Sequence, residues 1–346
     1  MPKNNLKILV IMNDRIGDLV LCTGVFREIK MAIPKVEITT LVSKVNFPIV
    51  EKNDNIKKRF ILDSFWKKRK LKNFFEYLKI LRKIRKEKFD IGIDLRGSNM
   101  NIFFFLVMGD VIEKYSLNKN RNNFLNGYVP RNLEVHETEL AKRIVEKAVK
   151  IKIKNSWPDI PTDEQDEKEV DNFLKNNQLK EFIVICPGAN SELKMWETKK
   201  FDELIKWINN KFPEYKIILC GGEEDRGIIE KLAKENSNCM VNMGFNLRNL
   251  SLLSKKAKLF ICHDGGPMHI AWCAKAKMIV LWGPTSMPNV KPLGKNVVII
   301  HHKTDCYPCY LNKECIKPKG NRCMDLISLE EVEKAVDKIL GEKKER

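Results

Sequence analysis

Apolar and polar positions along this 346-residue chain follow two periods in alternation. Short, nearly unbroken apolar runs read as buried strands: Lys7–Met12, Glu37–Val42 and residues 89–95 in the first half. Phe182–Cys186, Lys216–Cys220, residues 259–262 and Met278–Trp282 repeat the signal in the second half. Between them apolar residues recur at helical spacing, as in residues 19–32, a helix stopped by Pro34. The last helix is well signalled: Ser328-Leu-Glu-Glu331 is a capping box, and Val332, Ala335, Val336, Ile339 and Leu340 form one apolar face. Strands separated by helices predict parallel βαβ units. Two stretches interrupt the alternation. Residues 118–131, rich in Asn, Gly and Arg, read as a loop. Residues 155–180, with Trp157-Pro158, Ile160-Pro161 and the acidic run 163–169, read as an exposed connection and a domain boundary. The pattern therefore predicts an α/β protein of two doubly wound domains facing a cleft, 1–160 and 161–327, followed by the helix in 328–346.

At 43% hydrophobic and 31% charged residues, the composition is that of a globular protein long enough for two cores. No apolar run reaches the roughly eighteen residues that would span a bilayer. The N-terminus shows no signal-peptide pattern, and a cytoplasmic location is expected. The formal net charge of +18 is concentrated: residues 57–88 hold fourteen Lys and Arg against three acids. Within that stretch Leu71, Phe74, Phe75, Leu78, Leu81 and Ile84 recur at helical spacing with basic residues between them. Two readings stand: a basic amphipathic helix that meets an anionic membrane surface, or a core-packed helix with a solvated lysine-rich face. Nucleic acid is not an expected partner, because no zinc finger, RNP motif or base-stacking platform is present.

Candidate chemistry clusters just after the strands. Cys262-His-Asp264-Gly265-Gly266-Pro267-Met268-His269-Ile-Ala271 reads as a strand that ends in an aspartate, passes two glycines and enters a helix near Pro267. A helix N-terminus approached through glycines is a phosphate cradle, and Asp264 and His269 add an acceptor and a donor beside it. Asp14-Arg15-Ile16-Gly17-Asp18 follows the first strand. Asp18 has two readings, a general base or the cap of a helix beginning at Leu19; Asp14 competes for the first role. Pro187-Gly188-Ala189-Asn190 precedes Lys194-Met-Trp196, and Gly221-Gly222-Glu223-Glu224-Asp225 closes another strand with carboxylates suited to ribose hydroxyls or to a helix's first turn. Cys306, Cys309, Cys315 and Cys323 lie within eighteen residues. In a reducing compartment such thiols point away from disulfides and toward a structural zinc site, although the spacing is not a paired CxxC.

These stretches, in this order, resemble glycosyltransferase family 9, the heptosyltransferase family, whose pattern is an Asp-Thr/Gly-Gly-x-x-His-x-Ala run followed by Gly-Pro-Thr, here Gly283-Pro284-Thr285. The resemblance implies a GT-B fold whose last helix packs back on the N-terminal domain. It implies an N-terminal acceptor-binding domain and a C-terminal donor-binding domain. It also implies an inverting, metal-independent transfer of heptose from ADP-heptose to an acidic lipid-linked saccharide of the lipopolysaccharide core, with no cofactor required. By the resemblance Asp18 is the base and Arg15 and Gly17 meet the acceptor. Asn190, Lys194, Glu224, Asp264, Gly265, Gly266, Met268 and His269 meet the donor. The family's usual Thr or Ser near 189–190 is replaced by Ala189 and Asn190. Two other classes stay open at this point: a sugar-nucleotide epimerase on the same scaffold, which needs no acceptor, and a non-catalytic basic membrane- or nucleic-acid-binding protein.

Overall fold

The computed structural model of the chain describes residues 6–62, 71–118, 123–309 and 314–341. The chain divides into two units, Met1–Pro161 with Pro288–Val290, and Thr162–Met287 with Lys291–Arg346. In unit 1 the elements run β1 (Lys7–Met12), α1 (Ile16–Cys22), α2 (Gly24–Ala32), β2 (Glu37–Val42), α3 (Phe47–Glu51), β3 (Lys58–Ile61), α4 (Leu71–Glu87) and β4 (Ile91–Asp94). They continue with α5 (Asn99–Asn101), a π-helical stretch Ile102–Val107, β5 (Glu113–Asn118), β6 (Gly127–Pro130) and α6 (Glu137–Val149). Unit 2 holds α7 (Glu164–Asn176), β7 (Phe182–Cys186), α8 (Thr198–Lys211), β8 (Lys216–Cys220), α9 (Arg226–Glu235), β9 (Cys239–Asn242) and α10 (Leu247–Lys256). It closes with β10 (Leu259–His263), α11 (Gly266–Cys273), β11 (Met278–Trp282), β12 (Val297–His301) and α12 (Leu329–Gly341).

Each unit is a six-stranded sheet, β3-β2-β1-β4-β5-β6 and β12-β11-β10-β7-β8-β9. Every strand pair is parallel, with β1 between β2 and β4 and β7 between β8 and β10. The strand order reverses direction at β1/β4 and again at β7/β10, so each sheet has one switch point where loops part and leave a crevice. The central strands are buried on both faces, as their unbroken apolar runs require.

Four strands carry no such run, and β12, with Val-Val-Ile-Ile, carries one that the sequence reading did not mark. β3, β6, β9 and β12 are the four sheet edges and are only partly buried. β5 is interior but holds Glu113, Lys114 and Ser116 within six residues. The loop expected over 118–131 thus contains β6. The connection expected over 155–180 contains α7, whose interior face has Val170 as its one fully buried apolar residue among those described. A capping box between Asp163 and Asp166 starts that helix, and two polar contacts dock it: a buried Arg248 Nε–Asp166 contact of 2.7 Å and an Asn249–Glu169 hydrogen bond of 2.7 Å. A hydrophobic period cannot register them.

The helix expected over 19–32 starts earlier and is interrupted. α1 opens at Ile16 with Arg15 at its cap position, so Asp18 sits in the first turn and does not cap a helix at Leu19. The break falls at Thr23, whose hydroxyl donates to the Val20 carbonyl and accepts the Asp159 N–H, each at 2.8 Å. Beside it, a Cβ on Gly24 would collide with the Ser156 and Trp157 carbonyls. The close approach of that strand of backbone is why glycine stands there.

On α4, Tyr77, Ile80, Leu81 and Ile84 face the core. Phe75, expected on that face, is 66% exposed and shares the outer stripe with Lys79, Arg82 and Lys86. Residues 63–70 of the basic stretch lie outside the described residues. Among the described residues no helix is long and apolar enough to cross a membrane. α12 buries Val332, Ala335, Val336 and Leu340 in the core of unit 2 with Phe201, Ile205 and Ile279. Trp196 Nε1 and Lys200 Nζ, donating to the Ile327 carbonyl at 2.9 and 2.8 Å, fix the chain just ahead of it.

Candidate active site

The switch point of unit 2 collects most of the sequence-marked donor residues. β10 ends at His263, Asp264 follows, and α11 opens at Gly266 with Pro267 in its first turn. The Gly266 and Met268 amides have no acceptor one turn back in the helix, and Pro267 has no N–H, so this end offers a small set of forward-pointing donors. The Met268 side chain itself is buried, which leaves only its backbone for a ligand.

Lys194, from the loop after β7, donates to Asp264 Oδ2 at 2.8 Å, with side chains only 15% and 5% exposed. An ammonium carries three donors, so one bond to Asp264 leaves two for an anion. His263 holds this loop in place and was not marked by the sequence reading. Its Nε2 accepts the Trp196 N–H at 2.9 Å, which puts the proton on Nδ1, 3.1 Å from the Gly188 carbonyl. Burial pushes the imidazole down to about 4, against the opposing pull of Gly188 and Asp264, so it is neutral at physiological pH. The available signal was a polar residue ending an otherwise apolar strand. Trp196 is buried, edge-on to Phe201, and serves packing.

His269 is buried in α11. Asn190 and Glu224 are exposed. The acid that reaches the Pro187–Gly188 loop is Asp225, whose carboxylate accepts the Gly222 N–H at 2.9 Å and occupies the space a Cβ on Gly188 would need. Burial raises its pKa above the usual carboxylate range.

At the switch point of unit 1, the loop after β1 faces the loop after β4. Gly17 is buried, Arg15 exposed and Asp18 half-buried in the first turn of α1. Asn46, fully buried, donates to the Asp14 and Arg15 carbonyls at 3.2 and 3.4 Å and fixes the loop. Arg96 comes from the other side, 2.6 Å from Asp14 and 4.0 Å from Asp18. Burial raises the Asp18 pKa, Arg96 opposes that, and Asp14 adds to it. A half-desolvated carboxylate with its charge partly balanced is suited to taking a proton.

The four C-terminal cysteines line one small pocket with Glu192, Tyr307 and Arg322. They are free thiols. Among the described residues no three His, Cys, Asp or Glu side chains are placed to hold a metal ion. The structural zinc expected from the sequence finds no support in this arrangement.

A sequence model of glycosyltransferase family 9 (heptosyltransferase) matches residues 77–319. The chain belongs to this family. Lipopolysaccharide heptosyltransferase 1 of Campylobacter coli is 24% identical over 352 residues, spanning 97% of this chain and all of the relative. Lipopolysaccharide heptosyltransferase 3 of Escherichia coli is 23% identical over 302 residues, spanning 82% of this chain and 85% of the relative. A glycosyl transferase family 9 structure from Veillonella parvula DSM 2008 superposes with a TM-score of 0.84 at 20% identity, covering 97% of this chain and 98% of that one. The E. coli ADP-heptose lps heptosyltransferase II structure does so at 0.76 and 18%, covering 98% and 100%. The fold is therefore that of the family's GT-B enzymes, and the chain is a glycosyltransferase. Nothing in these likenesses favours the epimerase or the non-catalytic reading.

Proposed function

We propose that this family 9 enzyme is an inverting transferase that moves heptose from ADP-heptose to a lipopolysaccharide-core or similar lipid-linked saccharide. The observation that supports it most is the buried Lys194–Asp264 pair beside the glycine-led start of α11, in a chain whose family members are named for heptosyl transfer. In this reading Lys194 and the Gly266 and Met268 amides hold the diphosphate, with Gly265 allowing close approach. Asp264 and His269 position the sugar, and Asn190 and Glu224 contact the exposed side of the nucleotide.

Asp18 takes the proton from the acceptor hydroxyl as its oxygen bonds to the anomeric carbon. The bond from that carbon to the β-phosphate oxygen breaks, and ADP leaves with the electron pair. Attack opposite the leaving group inverts the centre. Arg15 and the Gly17 backbone meet the acceptor. The Lys79, Arg82 and Lys86 stripe of α4 draws the acidic acceptor, and the anionic membrane that carries it, to the cytoplasmic face; that attraction weakens with salt.

The test is ADP release measured with ADP-heptose alone and with a lipid-A-type acceptor added. Release that requires acceptor, with heptose recovered on the acceptor, is the expected result. Conversion of the donor without acceptor would overturn it in favour of an epimerase.

A further inference from the structure

Asp94 is fully buried at the end of β4, yet its carboxylate is the hub of the switch-point loops. It accepts the Arg96 N–H at 3.1 Å, the Ser98 N–H at 2.8 Å, the Ser116 hydroxyl at 3.2 Å and Asn101 Nδ2 at 3.3 Å. Asn101 Nδ2 also reaches Asn13 Oδ1 at 3.1 Å, which ties the β4 loop to the residue before Asp14. Gly97, at φ 76°, supplies the left-handed turn that lets the loop wrap around Asp94. From the other side Arg131, paired with the buried Glu137 at 2.6 Å, donates to the Arg96 carbonyl at 3.1 Å. The Arg96 backbone is thus held at both its amide and its carbonyl. Its guanidinium is left between two carboxylates, Asp14 in the loop after β1 at 2.6 Å and Asp18 in the first turn of α1 at 4.0 Å.

We propose that Arg96 is a positioning residue for the transfer, fixed by Asp94 and Arg131 so that its guanidinium bridges Asp14 and Asp18 and sets the orientation and charge of the Asp18 carboxylate. The inference rests on Asp18 being the base. The charged and titratable groups that face Asp18 are Arg96 and Asp14 from the two loops, Arg131 and Glu137 from the β6–α6 side, and the Cys22 thiol at the end of α1. Among them Arg96 opposes most strongly the desolvation that would otherwise hold the proton on Asp18. Asp14 shares that cation, so it limits how much of the guanidinium charge Asp18 receives. A guanidinium serves two carboxylates from one planar fork, which an ammonium cannot do in the same geometry.

The experiment is a titration of the Asp18 carboxyl by carbon NMR in aspartate-labelled full-length protein, with the resonance assigned from Asp18→Asn. In Arg96→Gln the midpoint should rise by about 1–3 pH units, the usual effect of losing a cation at this range. Arg96→Lys should recover part of that shift. Asp14→Asn should move the midpoint down, because it removes a like charge and frees the guanidinium. Asp94→Asn should move it up by less than Arg96→Gln, through loosening of the loop alone. The acid limb of the kcat/KM profile should shift in the same direction as each midpoint, which a purely structural role would not produce. An Asp18 midpoint unchanged in Arg96→Gln would overturn the proposal. Failure of the base reading shows separately, as wild-type transfer retained by Asp18→Asn.

Discussion

Replacing Lys194 by alanine should weaken ADP binding by a calculable amount. The ammonium gives one of its three N–H groups to Asp264 Oδ2 at 2.8 Å, and two remain for the diphosphate. A hydrogen bond to a charged group contributes about 1.5–3 kcal/mol, and screening is weak in a site whose two side chains are 15% and 5% exposed. Loss of one effective contact then corresponds to a roughly 10- to 150-fold increase in Kd. A second effect adds to it: without Lys194 the Asp264 carboxylate stays buried without its cation and repels the incoming anion. Asp264→Asn in the Lys194→Ala background should therefore restore part of the affinity, although each change removes a polar contact. Calorimetric titration with ADP is the assay, because ADP lacks the sugar that Asp264 is proposed to orient. Affinity within twofold of wild type in Lys194→Ala would refute the phosphate assignment. Further weakening on adding Asp264→Asn would refute the electrostatic argument.

Gly24→Ala should destabilise unit 1 by about 1–3 kcal/mol, since the new methyl meets two backbone carbonyls that cannot rotate away; urea unfolding followed by the adjacent Trp157 reads this directly, and an unchanged midpoint contradicts it. The pH dependence should differ in sign between the units. His263 titrates at about 4 in the folded state against 6.5 ordinarily, so its contribution to unit 2 is complete above pH 6.5 and is lost as pH falls through 4. Asp94 is raised by burial from 3.8 to about 6, so its contribution to unit 1 is complete below 3.8 and is lost as pH rises through 6. Between pH 4 and 6.5, the stability of unit 2 to urea, followed by Trp196 and Trp282, should rise with pH, while the hydrogen-exchange protection factors of β1 and β4, corrected for the intrinsic rate, should fall. His263→Gln should flatten the first trend and Asp94→Asn the second, and trends of the same sign in both units would refute the assignments.

The sequence made the interior of each sheet legible because a strand buried on both faces has to be apolar throughout, as Ile183 and Ile261 illustrate. Edge strands such as β3 and β9 escaped because one side of an edge needs no apolar residue. α7 escaped because an ion pair, Asp166 with Arg248, docks it where a hydrophobic face would otherwise do so. At the candidate site, the motif residues Lys194 and Asp264 could be picked out by type, and they lie seventy residues apart in the chain yet in contact. Their supports were not legible: His263, Asp94 and Arg96 act through the Gly188 carbonyl, the Trp196 and Ser98 amides and the carboxylates of Asp14 and Asp18. A hydrogen bond to another segment's backbone leaves no pattern in residue type. Asp18 shows both limits, since its motif drew attention to it while its place inside α1, and not ahead of it, came from the backbone.

The most direct test of the account is heptose transfer from ADP-heptose to a lipid-A-type acceptor by wild type and Asp18→Asn, with the donor affinity of each measured alongside. Wild type should transfer heptose with inverted configuration, and the variant should lose at least about a hundredfold in turnover, as removal of a general base requires, with donor affinity unchanged. Transfer at the wild-type rate by Asp18→Asn, or absence of transfer by a wild-type enzyme that binds ADP-heptose, would contradict it.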